Sequence, residues 1–267
     1  MELFYRKEGE GNPLVIIHGL YGSSDNWLSV AKRLSDNFTV FMPDQRNHGR
    51  SPHSADNSYE AMKNDLTEFL DKHHIGEATL LGHSMGGKVA MYFAADYPER
   101  VKKLIVADIA PKDYLAMDKI SQFHLHRNIL MAMQEIDFNI ARSREMVDDL
   151  LSEKIDDPRI RQFLLKNLVR DKTAKRLKWR INAEVLYNYL DEIVSGVNKH
   201  WFADRIPVTA YPVVFIRGEN SEYVLPEDEP LIKEIYPDAR IISIPGAGHW
   251  LHAEQPELFV KAVLSYS

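Results

Sequence analysis

Short, nearly unbroken apolar runs alternate along the first part of the chain with longer stretches in which apolar residues recur every three or four positions. The runs are residues 14–17 (LVII), 39–42 (TVFM), 78–81 (ATLL) and 103–107 (KLIVA). Runs this continuous predict parallel strands buried on both faces of a sheet. Residues 27–34, 58–73 and 86–97 lie between them and predict helices. In the second of these, Ala61, Leu66, Phe69 and Leu70 fall on one side. The alternation predicts an α/β fold, a mostly parallel sheet with right-handed crossovers and helices on its flanks.

The rhythm then breaks. From 112 to 205 the periodicity is helical with polar interruptions, and no strand is expected. Residues 213–216 (VVFI) and 240–244 (RIISI) resume the strand pattern, and 255–266 predicts a closing helix. The expected organisation is therefore one core domain, 1–111 with 206–267, and a helical cap, or lid, inserted at 112–205. A length of 267 residues suits this arrangement.

Charge and composition narrow the field. A net charge of −6 argues against a dedicated nucleic-acid or membrane-surface protein. No cysteine is present, which removes disulfides, thiolate metal sites and a thiol nucleophile together. No run approaches the roughly 20 apolar residues of a membrane span, and MELFYRKEGEGN lacks the apolar stretch of a signal peptide. A cytoplasmic globular protein is expected.

Three loops that follow strands carry the chemistry. Gly82-His83-Ser84-Met85-Gly86-Gly87 follows ATLL and opens a helix, the strand–turn–helix setting of a G-x-S-x-G nucleophile elbow. Such a turn strains the serine and exposes its Oγ, and glycines on either side let strand and helix approach closely. The backbone N–H of Met85 then faces a developing oxyanion. His18-Gly19-Leu20-Tyr21-Gly22, after LVII, offers a second N–H, that of Leu20. Gly246-Ala247-Gly248-His249-Trp250, after RIISI, places His249 on a loop beyond the last strand, where it reaches over the sheet edge toward Ser84. His252 is the competing base, but chain order favours His249. His124 and His126 alternate in the way of ligands, yet no further ligands stand at fitting spacing, so no metal is expected. Neither HGLYG nor GHSMGG has the spacing of a phosphate or dinucleotide loop, and no cofactor is expected.

These loops, together with residues 44–51 (DQRNHGRS), resemble the α/β-hydrolase superfamily over nearly the whole chain. RNHGRSPH (46–53), GHSMGGKVAM (82–91), VADIAPKDY (106–114), RQFLLKNL (161–168) and WRIN (179–182) are similar to one branch. That branch holds small bacterial acyl esterases, which also cleave acyl-coenzyme A thioesters, and related mitochondrial abhydrolase-domain esterases. The resemblance implies hydrolysis of a small-molecule carboxylic ester or acyl thioester through an acyl-enzyme, with Ser84 as nucleophile and His249 as base. Asp44 and Arg46 are expected to brace their loop, and His48 to line the pocket mouth.

The acid is less regular. In most such hydrolases it follows the strand after the cap in a G-x-x-D pattern, and here that position is Ser221. Glu219 lies too early and Glu222 one residue late. Asp108, directly after KLIVA, is the alternative, and the resembling branch places its acid at this VADIAP motif. Asp108 is the expected third member of the triad. Two rival classes share these residues: a C–C bond hydrolase or cofactor-free perhydrolase on the same triad, and a ligand-binding protein whose triad is vestigial. Residues 159–180 also carry nine Lys or Arg against Asp171 as the one acid. They are expected to form mainly a solvated face; the sharper reading is that some attract the phosphates of an acyl-coenzyme A or another anionic substrate.

Overall fold

The structure is a computed structural model that describes residues 1–115, 121–197, 199–202 and 204–265. Among these, seven strands form one sheet: β1 (Tyr5–Glu8), β2 (Asn12–Ile17), β3 (Phe38–Pro43), β4 (Ala78–His83), β5 (Val101–Ala107), β8 (Val213–Gly218) and β9 (Arg240–Ile244), in the order β1-β3-β2-β4-β5-β8-β9. All neighbours are parallel except β1, which pairs antiparallel with β3. β1 was not among the expected strands. Its sequence, YRKE, has no apolar run because an edge strand is half-exposed.

Burial on both sides of the sheet follows from alternation along each strand. Val15, Ile17, Leu104, Val106, Val213 and Phe215 face one core. Their neighbours Leu14, Ile16, Ile105, Ala107, Val214 and Ile216 face the other. The first core is covered by α2 (Tyr59–Lys72) and α3 (Met85–Asp96), the second by α1 (Leu28–Leu34) and α12 (Pro256–Ser265). Ser58 starts α2 as the sequence implies, its hydroxyl accepting the N–H of Ala61. The closing helix ends at Ser265 among the described residues, and Tyr266, to which it was expected to run, lies outside them.

Between β5 and β8 the chain is mainly helical: α4 (Ser121–Gln134), α5 (Arg144–Ser152), α6 (Pro158–Leu165), α7 (Ala183–Asn188), α8 (Leu190–Val194) and α9 (Lys199–Phe202). Positions 116–120, 198 and 203 of the expected insertion lie outside the described residues. The expectation of no strand there is corrected: β6 (Leu168–Arg170) and β7 (Leu177–Trp179) form a small antiparallel hairpin. Strands of three residues leave no period for a sequence pattern to reveal. After β8 come α10 (Glu229–Ile235) and, ahead of α12, α11 (Leu251–Glu254). Among the described residues, no helix is long and apolar enough to cross a membrane.

Candidate active site

The chemistry-bearing loops all leave the carboxyl ends of parallel strands, where an open α/β sheet presents its ligand crevice. β4 ends at His83, and Ser84 turns the chain into α3 with φ 53° and ψ −122°. A non-glycine residue at positive φ is strained by roughly 1–3 kcal/mol, and the surroundings hold it there. The Ser84 N–H donates to the Ala107 carbonyl at 3.0 Å. A methyl group at Gly86 would collide with the backbone of Ile17 and His18, so only glycine lets the elbow sit against β2. Met85 occupies the first position of α3, where a backbone N–H has no acceptor within the helix and lies at the positive end of its dipole.

The loop after β2 is pinned from beneath. The Gln45 N–H donates to His18 Nε2 at 2.9 Å, which fixes His18 as the neutral tautomer whose Nδ1–H donates to the Gly19 carbonyl at 2.9 Å. Burial also lowers the pKa of His18, in keeping with that neutral form. The Gln45 side-chain amide adds a bond to the His18 carbonyl. Leu20 is held beside Ser84 in this way, and both line the same cleft.

His249 and Asp108 meet across the sheet. Asp108 is fully buried at the end of β5, at φ 51°. His249 Nδ1 lies 2.8 Å from Asp108 Oδ2, so Nδ1–H donates and Nε2 is left as the basic nitrogen of the neutral ring. Asp108 also accepts the Gly218 N–H at 3.0 Å and the hydroxyl of Ser221. Ser221, at the position where the usual acid would stand, thus donates its hydroxyl to Asp108. The His249 ring stacks on Tyr223, with centroids 3.8 Å apart and planes at 19°. His83 Nε2–H donates to the His249 carbonyl at 2.9 Å, tying the elbow to the histidine loop.

Glu219, just after β8, and Glu254, in α11, have other tasks, and Glu222 is exposed. Glu219 accepts the Gly246 N–H at 2.8 Å, and Glu254 accepts the Gly248 N–H at 2.6 Å. Both brace the loop that carries His249. His252 is structural: its ring lies flat on Trp27, with centroids 4.0 Å apart and planes at 10°. Burial first, then His249 and Lys166, lowers its pKa to about 3.

The cleft measures about 450 Å³ and is lined by Ser84, His249, Leu20, His126, Phe163 and Trp250 among others. His48, expected at its mouth, is instead fully buried beneath the floor. It packs edge-on against His18 at 5.2 Å, with Nδ1 2.9 Å from the Arg46 carbonyl. Its apolar-like burial is invisible in a loop of polar letters. Asp44 and Arg46 do brace that loop. Asp44 accepts the N–H groups of Ser24 and Arg50, and Arg46 forms a two-pronged pair with Asp65 at 2.6 and 2.9 Å.

His126 is half-buried in the cleft wall, with Nε2 3.0 Å from the Tyr223 hydroxyl and Nδ1 3.3 Å from that of Tyr21. Desolvation, and then His249, lowers its pKa to about 4. His124 points to solvent instead, so the pair does not converge on a common point. Sequence reasoning missed Tyr223 and His126 as neighbours of His249. The one signal available was Ser221 in place of the usual aspartate, which draws attention to the loop after β8. Of the basic residues in 159–180, Arg159 lines the cleft, bound to Asp157 at 2.8 Å. Arg161, Lys178 and Arg180 pair with Asp148, Asp171 and Asp25; Lys178 is exposed, whereas Arg161 and Arg180 are half-buried.

Comparison with known proteins settles the family. The α/β-hydrolase fold family matches residues 12–256. This chain belongs to it. Among similar α/β-hydrolases, the sn-1-specific diacylglycerol lipase ABHD11 of Danio rerio is 37% identical over 97% of this chain and 79% of its own length. Esterase YbfF of Escherichia coli strain K12 is 34% identical over 98% of this chain and 95% of its own. The solved structure of a marine microorganism esterase is 47% identical, with a TM-score of 0.94 over 100% of this chain and 99% of that one. These α/β-hydrolases match the core and the segment between β5 and β8 alike.

Proposed function

We propose that this α/β-hydrolase cleaves carboxylic esters or acyl thioesters through an acyl-enzyme on Ser84. The reading rests above all on the 2.8 Å contact between His249 Nδ1 and a buried Asp108, with His249 and Ser84 lining one cleft. The esterase and lipase names of its relatives support it.

His249 Nε2 takes the hydroxyl proton as Ser84 Oγ attacks the acyl carbonyl. Asp108 holds the imidazole in the required tautomer and stabilises the imidazolium that forms. The N–H groups of Leu20 and Met85 receive the oxyanion; losing one such donor typically costs about 10²–10³ in rate. His249 then gives its proton to the departing alcohol or thiol. Water, activated by the same imidazole, releases the acid and restores Ser84. The segment 112–205 acts as the cap over this cleft.

Ser84→Ala tests the reading. It is expected to abolish hydrolysis of p-nitrophenyl acetate and labelling by a fluorophosphonate while leaving the circular dichroism spectrum unchanged. Activity and labelling retained in that variant would refute the assignment. Turnover of a short ester by the wild type also separates a hydrolase from a binding protein with an idle triad.

A further inference from the structure

Two cavities meet at Ser84. One is the cleft of about 450 Å³. The other is an inner hollow with room for only about 20 Å³, walled by Leu20, Met85, Ile109, Ile193 and Val194. Leu20, Ser84, His126 and Tyr223 line both and form the partition between them. His249 lines the cleft, whereas Met85 lines the hollow.

The reacting groups decide which part of a substrate each space receives. A tetrahedral carbon on Ser84 Oγ carries an oxyanion, a leaving group and an acyl chain. The leaving atom takes its proton from His249, so it faces the cleft. The oxyanion faces the backbone N–H groups of Leu20 and Met85, at the partition. The acyl chain takes the remaining direction, into the hollow beside Met85.

Resting on the ester- or thioester-hydrolase reading, we propose that the inner hollow is the acyl pocket and admits an acetyl or propionyl group, while the alcohol or thiol occupies the large cleft. A single water needs roughly 10–15 Å³ measured in this way, so the hollow accommodates a methyl or ethyl group and not a chain. Its far wall, Ile193 and Val194, comes from α8, and Lys88 ties that helix down. Lys88 stands one turn beyond Ser84 on α3 and donates to the carbonyls of Ile193, at 3.1 Å, and Ser195. Apart from Ser84, the polar side chains lining the hollow are occupied with neighbours: the Lys88 ammonium by those carbonyls, the Tyr114 hydroxyl by the Tyr223 carbonyl and the Ala110 N–H, and His126 Nε2 by the Tyr223 hydroxyl, so the pocket suits an uncharged acyl group.

Hexyl acetate and ethyl hexanoate test the assignment with wild-type protein. They share one formula and similar hydrophobicity but carry the long chain on opposite sides of the carboxyl group. A surplus methylene in an apolar pocket costs roughly 10- to 200-fold, so kcat/KM for hexyl acetate is expected to exceed that for ethyl hexanoate by at least about tenfold. Equal values, or a preference for ethyl hexanoate, would overturn the assignment. Ile193→Ala, which opens the far wall, is expected to lower that ratio by about tenfold; an unchanged ratio in a folded variant would overturn it too. Turnover of both esters that persists in Ser84→Ala would instead bring down the acyl-enzyme on Ser84, and this assignment with it.

Discussion

Asp108 shows how much a single position depends on residues far away in sequence. Its carboxylate gathers the Gly218 N–H, the Ser221 hydroxyl and His249 Nδ1–H, all from segments at least 110 positions along the chain. Asp108→Asn presents the wrong hydrogen-bonding partner to His249. The corresponding change in a serine protease costs about 10⁴ in kcat, and a loss of that order is expected here in ester hydrolysis. Glu219→Gln keeps an oxygen for the Gly246 N–H and should change kcat less than about threefold, within the range of a weakened hydrogen bond; Glu222→Gln should do the same. A crippled Glu222→Gln beside an active Asp108→Asn would move the acid to the loop after β8. Asp108 was legible as a candidate because it directly follows KLIVA and because the resembling branch places its acid at VADIAP; its contact with His249 is what the structure adds. The donor role of Ser221 was not legible, since nothing local in GENSEY announces that a hydroxyl faces a carboxylate from another strand. His48 failed for the same kind of reason, because a histidine letter does not record whether its ring meets water or the ring of His18.

Elements behaved more predictably than residues. β2, β4, β5 and β8 declared themselves because they are buried on both sides, and a near-continuous apolar run is what that environment demands. β1 and the β6–β7 hairpin escaped because half-exposed or very short strands need no such run. The elbow was legible because its glycines answer a steric demand. Gly86→Ala would push a methyl group into the Ile17 and His18 backbone, so soluble yield and thermal midpoint should both fall sharply. A well-folded, fully active Gly86→Ala protein would show that β2 and α3 have slack the close contacts do not suggest. At the start of α2, Ser58→Ala removes an acceptor for the Ala61 N–H and should cost about 1 kcal/mol in urea denaturation. An unchanged midpoint would mean that water replaces the cap at no cost.

For the molecule as a whole, buried neutral histidines tie stability to pH. His48 and His252 each have a pKa lowered to about 3, chiefly by burial, against 6.5 for a free imidazole. As pH falls below 6.5 the unfolded chain takes up these protons while the folded protein does not. Their contribution is therefore fully present above that value and is lost progressively toward pH 3, by about 1.4 kcal/mol per pH unit for each group. Urea midpoints should drop between pH 6.5 and 5, ahead of most carboxylates, which titrate near pH 4. A slope unchanged in a folded His48→Gln variant would remove His48 from this account. A different consequence follows from the path of the chain. It leaves the sheet at β5 and returns at β8, and these strands are direct neighbours, Leu104 opposite Val213 and Ala107 opposite Ile216. The sheet closes its ladder without the helices between, so a change in the length of that stretch need not disturb the β5–β8 register.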